Sequence, residues 1–147
     1  MSDSRPIGVF DSGIGGLTVV KALRDFGLYY GIAFQMKDDL LDVTAQAAEI
    51  GKPVGNDLLE RKMTIPLILA LARADAGARG AVERFYNGNR DAAPEAVLQT
   101  IAACGGLDGT REQIAQYAHR AKQSLASLDQ SPARAELQRL AEELTEG

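Results

Sequence analysis

The 147-residue sequence predicts an all-α protein, an antiparallel helical bundle with a short strand-turn-helix segment at its N-terminus. Three observations predict it. Apolar residues recur at intervals of three and four from Met36 through Leu40, Val43, Ala47 and Ile50, which is the spacing of one buried helix face. The later chain is punctuated by helix starts and stops, namely Pro66, Pro94, the pair Gly105 and Gly106, and Ser131 followed by Pro132. Little of strand type appears beyond the apolar run from Ile7 to Phe10.

Taken in order, Ile7 to Phe10 predicts a strand, Gly13, Gly15 and Gly16 a flexible turn, and Leu17 to Leu23 a helix. The glycine spacing fits neither a dinucleotide fingerprint nor a P-loop. The helix carrying Met36 is expected to end near Gly51. Thr64 to Ala76 is rich in Ala and Leu and predicts a buried helix, with Pro66 tolerated in its first turn. Gly77 to Asp91 reads as a short helix or a loop around Phe85 and Tyr86. Pro94 to Cys104 predicts a helix closed by Gly105 and Gly106. Thr110 and Gln113 form a capping-box pattern ahead of a helix reaching about Leu128. Ser131 and Pro132 open the last helix, with Leu137, Leu140 and Leu144 on its apolar face and Glu136, Arg139, Glu142 and Glu143 in solvent.

A chain of 46% hydrophobic residues without Trp fits one domain with a modest core. Its net charge of −4 gives no reason to expect nucleic acid or an anionic membrane as partner. No apolar run approaches the roughly 20 residues of a membrane span, and no signal-peptide pattern opens the chain, so the cytoplasm is the expected location. Cys104 is the sole cysteine, which excludes an intramolecular disulfide and suits a buried structural thiol. His119, the sole histidine, lies in a helical pattern and is expected at the surface.

The chemistry concentrates between Gly31 and Pro66. Asp38 and Asp42 lie one helical turn apart, and Asp39 falls within the same broad arc. Like charges at this spacing destabilise a helix, so a cation is expected to offset them. Mg²⁺ is the natural candidate, since it needs only one or two carboxylates and takes its other ligands from water and phosphate. Lys52, Arg61 and Lys62 return shortly afterwards and would meet phosphate oxygens left unneutralised.

The ordered set GIAFQ, DDLLD, GKPVGNDL and RKMTIP resembles the second aspartate-rich region of the trans-isoprenyl diphosphate synthases, the polyprenyl synthetase family. The resemblance covers about residues 22–147 and extends through IAACGG, QYAHRAKQSL and ELQRLAEEL. It implies a partial isoprenoid synthase fold, the C-terminal half of the family's domain. It also implies that Asp38, Asp39 and Asp42 bind Mg²⁺ bridging the diphosphate of an allylic isoprenoid substrate, with Asp57 nearby. Lys52 and Lys62 would contact that diphosphate, Gln35 would lie beside the reacting substrates, and Phe34 would be a cavity wall or ordinary core. One departure is Arg61, which stands where these synthases often have Gly. The first aspartate-rich motif and the basic residues for isopentenyl diphosphate are not found in the sequence. The expectation is a synthase-like chain inactive alone, which self-associates or joins a synthase subunit. A non-catalytic helical subunit or binding module is the alternative.

Residues 5–24, reading RPIGVFDSGIGGLTVVKALR, resemble instead the N-terminus of glutamate racemases, in which the matches of Asp11 and Ser12 serve the amino acid. Racemisation by two thiols cannot run on one cysteine. This resemblance divides the chain into residues 1–24 and 25–147, with a join near 21–25 that a natural fusion, a truncation or a constructed chimera would each explain.

Overall fold

In a computed structural model, residues 15–48, 58, 60–88 and 93–146 are described, with side chains in the first range to residue 44. They form six α-helices and one 3-10 turn, with no strand among the described residues. The helices are α1 (Gly15–Ala48), α2 (Ile65–Arg73), α3 (Ala76–Tyr86), α4 (Pro94–Ala103), α5 (Gly106–Ser124) and α6 (Pro132–Glu143), and the 3-10 turn Leu125–Ser127 extends α5.

The spine is α1, 34 residues long. Ala22, Phe26, Ala33, Met36, Leu40 and Val43 are buried along one of its faces, so the three-and-four spacing does mark the core side. That face serves three clusters in succession. Phe26 packs with Ala121, Leu125 and Ala141; Ala33, Met36 and Leu40 pack with Ile114 and Leu144; Val43 enters a cluster with Leu58, Leu67, Val82, Phe85, Val97 and Ile101. Rising residue numbers on α1 thus meet falling ones on α5, and the pair is antiparallel. One ring contact crosses the pair, Tyr29 with Tyr117 of α5 at 6.2 Å, while along α1 itself Phe26 stacks on Tyr30 at 5.6 Å and Tyr30 on Phe34 at 6.2 Å. Arg120 lies over both Tyr29 and Tyr117.

Gly15 and Gly16, expected in a turn, are the first residues of α1. In any helix the first turn's N–H groups lack intrahelical partners, so two glycines there do not block the helix propagating from Leu17. The helix is unbroken through the expected join at residues 24 and 25. The expected strand at Ile7 to Phe10, Gly13, and the helix end at Ile50 and Gly51 lie outside the described residues.

Pro66 occupies the first turn of α2, and Leu67 beside it is only 1% exposed. Val97 and Ile101 of α4 pack in one cluster with it, while Leu69 and Leu71 are half-buried. The stretch from Gly77 is a helix: Asp75 accepts the Ala78 N–H at 2.8 Å, a side-chain cap that starts α3 despite its two glycines. Gly105, at φ 71°, makes the left-handed turn that ends α4 and starts α5.

Thr110 is not a cap. The helix begins four residues earlier, and Thr110 is fully buried within it, its hydroxyl donating to the Gly106 carbonyl at 2.7 Å. On α6 Ser131 accepts the Arg134 N–H at 3.2 Å, as expected of an N-cap. Its core side carries Leu137, half-buried, with Ala141 and Leu144 buried, and Leu140 is exposed, since only residue 141 continues the spacing of four then three. Glu136, Arg139, Glu142 and Glu143 face solvent, with Arg139 paired to both Glu136 and Glu143. Cys104 is half-buried against the α2–α4 cluster, and His119 is exposed. No helix among the described residues is long and apolar enough to cross a membrane.

Backbones approach closely at Gly106, where an added Cβ would stand 2.3 Å from the Pro66 carbonyl oxygen and 3.0 Å from that of Ile101. Both obstacles are backbone, so α2 and α5 would have to separate. Gly106→Ala is expected to lower stability by about 1 to 3 kcal/mol or more, read as a lower urea midpoint at unchanged slope. An unchanged midpoint would show that the two helices do not meet this closely.

Candidate functional site

Because Met36, Leu40 and Val43 are drawn into the core, the aspartates between them are turned outward. Asp38 is exposed, while Asp39 and Asp42 are half-buried at the flanks. Gln35 donates its amide to Asp39 at 3.0 Å, so the glutamine is engaged with the acidic face itself. Among the described residues no group of three Asp, Glu, His or Cys side chains is arranged to hold a metal ion. What the chain offers is an open face of oxygen donors. That donor set fits a hard divalent ion which keeps several waters and shares phosphate oxygens, and it does not fit a closed protein cage.

Asp42 also lines a small cavity together with Lys62, Thr64, Tyr86 and the apolar side chains of Val43, Leu58, Leu67, Val97, Leu98 and Ile101. The cavity thus joins an α1 carboxylate to the predicted diphosphate lysine, twenty residues on. Lys62 pairs with Glu60 at 2.7 Å, both of them exposed. The tyrosine of α3 holds this segment in place, its hydroxyl donating to the Lys62 carbonyl at 2.7 Å. Sequence reasoning gave Tyr86 no role beyond marking a helix. Burial pushes its phenol above the ordinary value of 10.0. Lys52 and Asp57 lie outside the described residues.

Arg61 is the one non-glycine residue at positive φ among the described residues, at 55°. This is the conformation that glycine adopts without penalty, which gives the departure at this position a physical meaning. The Arg61 N–H closes a turn onto Leu58 at 3.0 Å, and its guanidinium lies 5.6 Å from the centre of the Phe85 ring. A cation–π contact of about 0.5 to 1 kcal/mol offsets part of the left-handed strain and holds the side chain on the Phe85 ring.

Around the acidic face α1 leaves apolar side chains uncovered. Phe34 is 48% exposed and Leu41 53%, and Leu23 and Val20 continue the same side toward the N-terminus. Phe34 is therefore not ordinary core. The outward surface combines a charged end with an apolar strip.

The fold, an all-helical assembly built on one long spine, is that of solved polyprenyl synthases. A decaprenyl diphosphate synthase from Rhodobacter capsulatus superposes with a TM-score of 0.77 at 38% identity, over 88% of this chain and 41% of that one. A polyprenyl synthase from Caulobacter crescentus, solved with calcium and isoprenyl diphosphate, gives 0.76 at 34% identity, over 89% and 40%. In sequence, the octaprenyl diphosphate synthase of Escherichia coli is 40% identical over 116 residues, 76% of this chain and 35% of that protein. The polyprenyl synthetase family model matches residues 8–104, and the chain belongs to that family. It spans about a third to two-fifths of the length of these relatives. The racemase resemblance of residues 5–24 is not supported, because the family match begins at residue 8 and runs through that segment.

The Tyr86 contact generates a test. Tyr86→Phe removes one hydrogen bond and is expected to cost about 0.5 to 1.5 kcal/mol at neutral pH. Since burial raises the folded-state pKa of Tyr86, its neutral phenol contributes stability in full below pH 10.0, and that contribution is lost as pH rises through the raised value. Denaturation from pH 8 upward should therefore show parent and variant converging above pH 10. A constant gap across the range would contradict it.

Proposed function

We propose that this chain provides the metal and diphosphate face of a trans-isoprenyl diphosphate synthase, the enzyme class that transfers an allylic isoprenoid unit to isopentenyl diphosphate. The observation that carries the reading is the pairing, on one side of α1, of Asp38 and Asp42 with the exposed apolar strip of Phe34 and Leu41, and with Lys62 across the cavity from Asp42. An acidic end beside an apolar strip fits an amphiphile whose diphosphate head is bridged by cations and whose tail is hydrocarbon.

In this reading Asp38, Asp39 and Asp42 supply oxygen donors to Mg²⁺, and Lys62 with Lys52 binds the phosphate oxygens. Bound there, Mg²⁺ would supply neutralisation of charge on the departing diphosphate. Gln35 orients the Asp39 carboxylate through the bond it already makes. Tyr86 and the Arg61 turn keep the Lys62 backbone beside α1. Phe34 and Leu41 keep water from the tail end of the ligand. Location in the cytoplasm, and association with a second copy or with a synthase subunit, belong to the same proposal, and the exposed side of α1 supports the association.

Two outcomes follow. Inorganic diphosphate is expected to bind only with Mg²⁺ and weakly, on the order of 0.1 to 1 mM, because one carboxylate face holds the metal from one side. Titration calorimetry should lose this signal when Asp38→Ala and Asp42→Ala are combined; binding indifferent to both changes would remove the aspartates from the site. The 147 residues alone are expected to make no prenyl product from any allylic diphosphate supplied with isopentenyl diphosphate. Preorganised groups of this kind contribute about 3 kcal/mol or more each, and positioning of a second substrate roughly 7 to 11 kcal/mol. A radiolabel assay should stay at background until a separately expressed segment carrying the first aspartate-rich motif is added. Sustained elongation without it would show that the chemistry needs fewer groups.

A further inference from the structure

Lys37 stands one residue before Asp38, yet its ammonium is held far along the sequence. Its Nζ donates to the carbonyl of Glu143, the last residue of α6, at 2.7 Å and to that of Glu146, in the turn that follows, at 2.8 Å. The last carbonyls of a helix have no intrahelical donors and carry the negative end of its dipole, so a lysine from a neighbouring helix is a suitable cap. The clasp is anchored by apolar packing, since Leu144, between the two acceptors, is buried against Ala33, Met36, Leu40 and Ile114. Two of the three ammonium protons are thereby committed.

We propose that Lys37 is a positioning residue whose capture by the C-terminal turn of α6 keeps its charge off the aspartate face, so that the turn sets the cation affinity of that face. A released ammonium at position 37 could swing to Asp38. The neighbouring pair Arg24 and Asp25, 3.4 Å apart, shows that adjacent residues on α1 do form such contacts. Once there, it would compete with a metal for the same carboxylate. The coupling rests on the metal-binding reading above and adds a control to it.

The test separates the clasp from the site. Thr145→Pro pushes Leu144 out of its helical conformation (φ −66°, ψ −27°) and so parts the two carbonyls without altering charge. Leu144→Ala loosens the same turn by a different route. Acylation of Lys37, followed by mass spectrometry in metal-free protein with the exposed Lys21 as reference, is expected to accelerate several-fold in either variant. Mg²⁺-dependent diphosphate affinity should fall by about three- to fivefold in Thr145→Pro, the size of a surface charge contact, and should stay within twofold in Lys37→Met. The double variant should match Lys37→Met. An equal loss from Thr145→Pro with or without Lys37 would reduce the clasp to a structural brace and overturn the proposal, as would unchanged acylation. A parent chain that binds no diphosphate would defeat the metal-binding reading and the coupling with it. Binding by the parent together with no Lys37-dependent difference would defeat the coupling alone.

Discussion

The burial of one stripe of α1 against α5 decides most of what this molecule presents to its surroundings. Six side chains of α1 are withdrawn from water along that stripe, and the four larger ones, Phe26, Met36, Leu40 and Val43, contribute roughly 1.5 to 3 kcal/mol each. With the helix fixed in rotation, Asp38 has only solvent to face and Asp39 and Asp42 are left at the margins. The acidic face follows from the helix period and the position of the core. A rotation large enough to bury Asp38 would expose Met36 and leave a charge in an apolar cluster, and neither is compatible with a stable fold.

The second half of the site is positioned by different means. Lys62 lies between helices, and no helix of its own holds it beside α1. Its neighbours do so: Leu58 is buried in the core, Arg61 turns the chain in a left-handed conformation, and Tyr86 grips the carbonyl. The same hydroxyl that satisfies that carbonyl is itself partly withdrawn from water, so the bond and the burial support each other.

How much of this was legible in the sequence depended on the range of the interaction concerned. The stripe from Met36 to Val43 and the proline-led starts of α2, α4 and α6 follow from local spacing, and they are observed as read. The start of α5 was misplaced because its true cap, Gly105, has no side chain to announce it, whereas Thr110 and Gln113 imitate a capping box from inside the helix. The start of α3 was obscured by glycines that outweighed Asp75. Leu140 was assigned to the core because leucine is common there, although Ala141 holds the correct phase. The capture of Lys37 joins residues more than a hundred positions apart, and no local pattern encodes it. At the N-terminus a short glycine-rich turn pointed to a different family, and the longer family match overrode it.

The ring contacts along α1 also determine how the protein reports on itself to light. The chain has no tryptophan and four tyrosines. Tyr29, Tyr30 and Tyr117 all sit where α1 meets α5 or within the stack that borders it, and only Tyr86 lies elsewhere. Tyrosine emission and the near-ultraviolet circular dichroism of the folded chain are therefore dominated by one helix pair. Separation of α1 from α5 would register strongly in both signals, while rearrangements among α2, α3 and α4 would reach them chiefly through Tyr86.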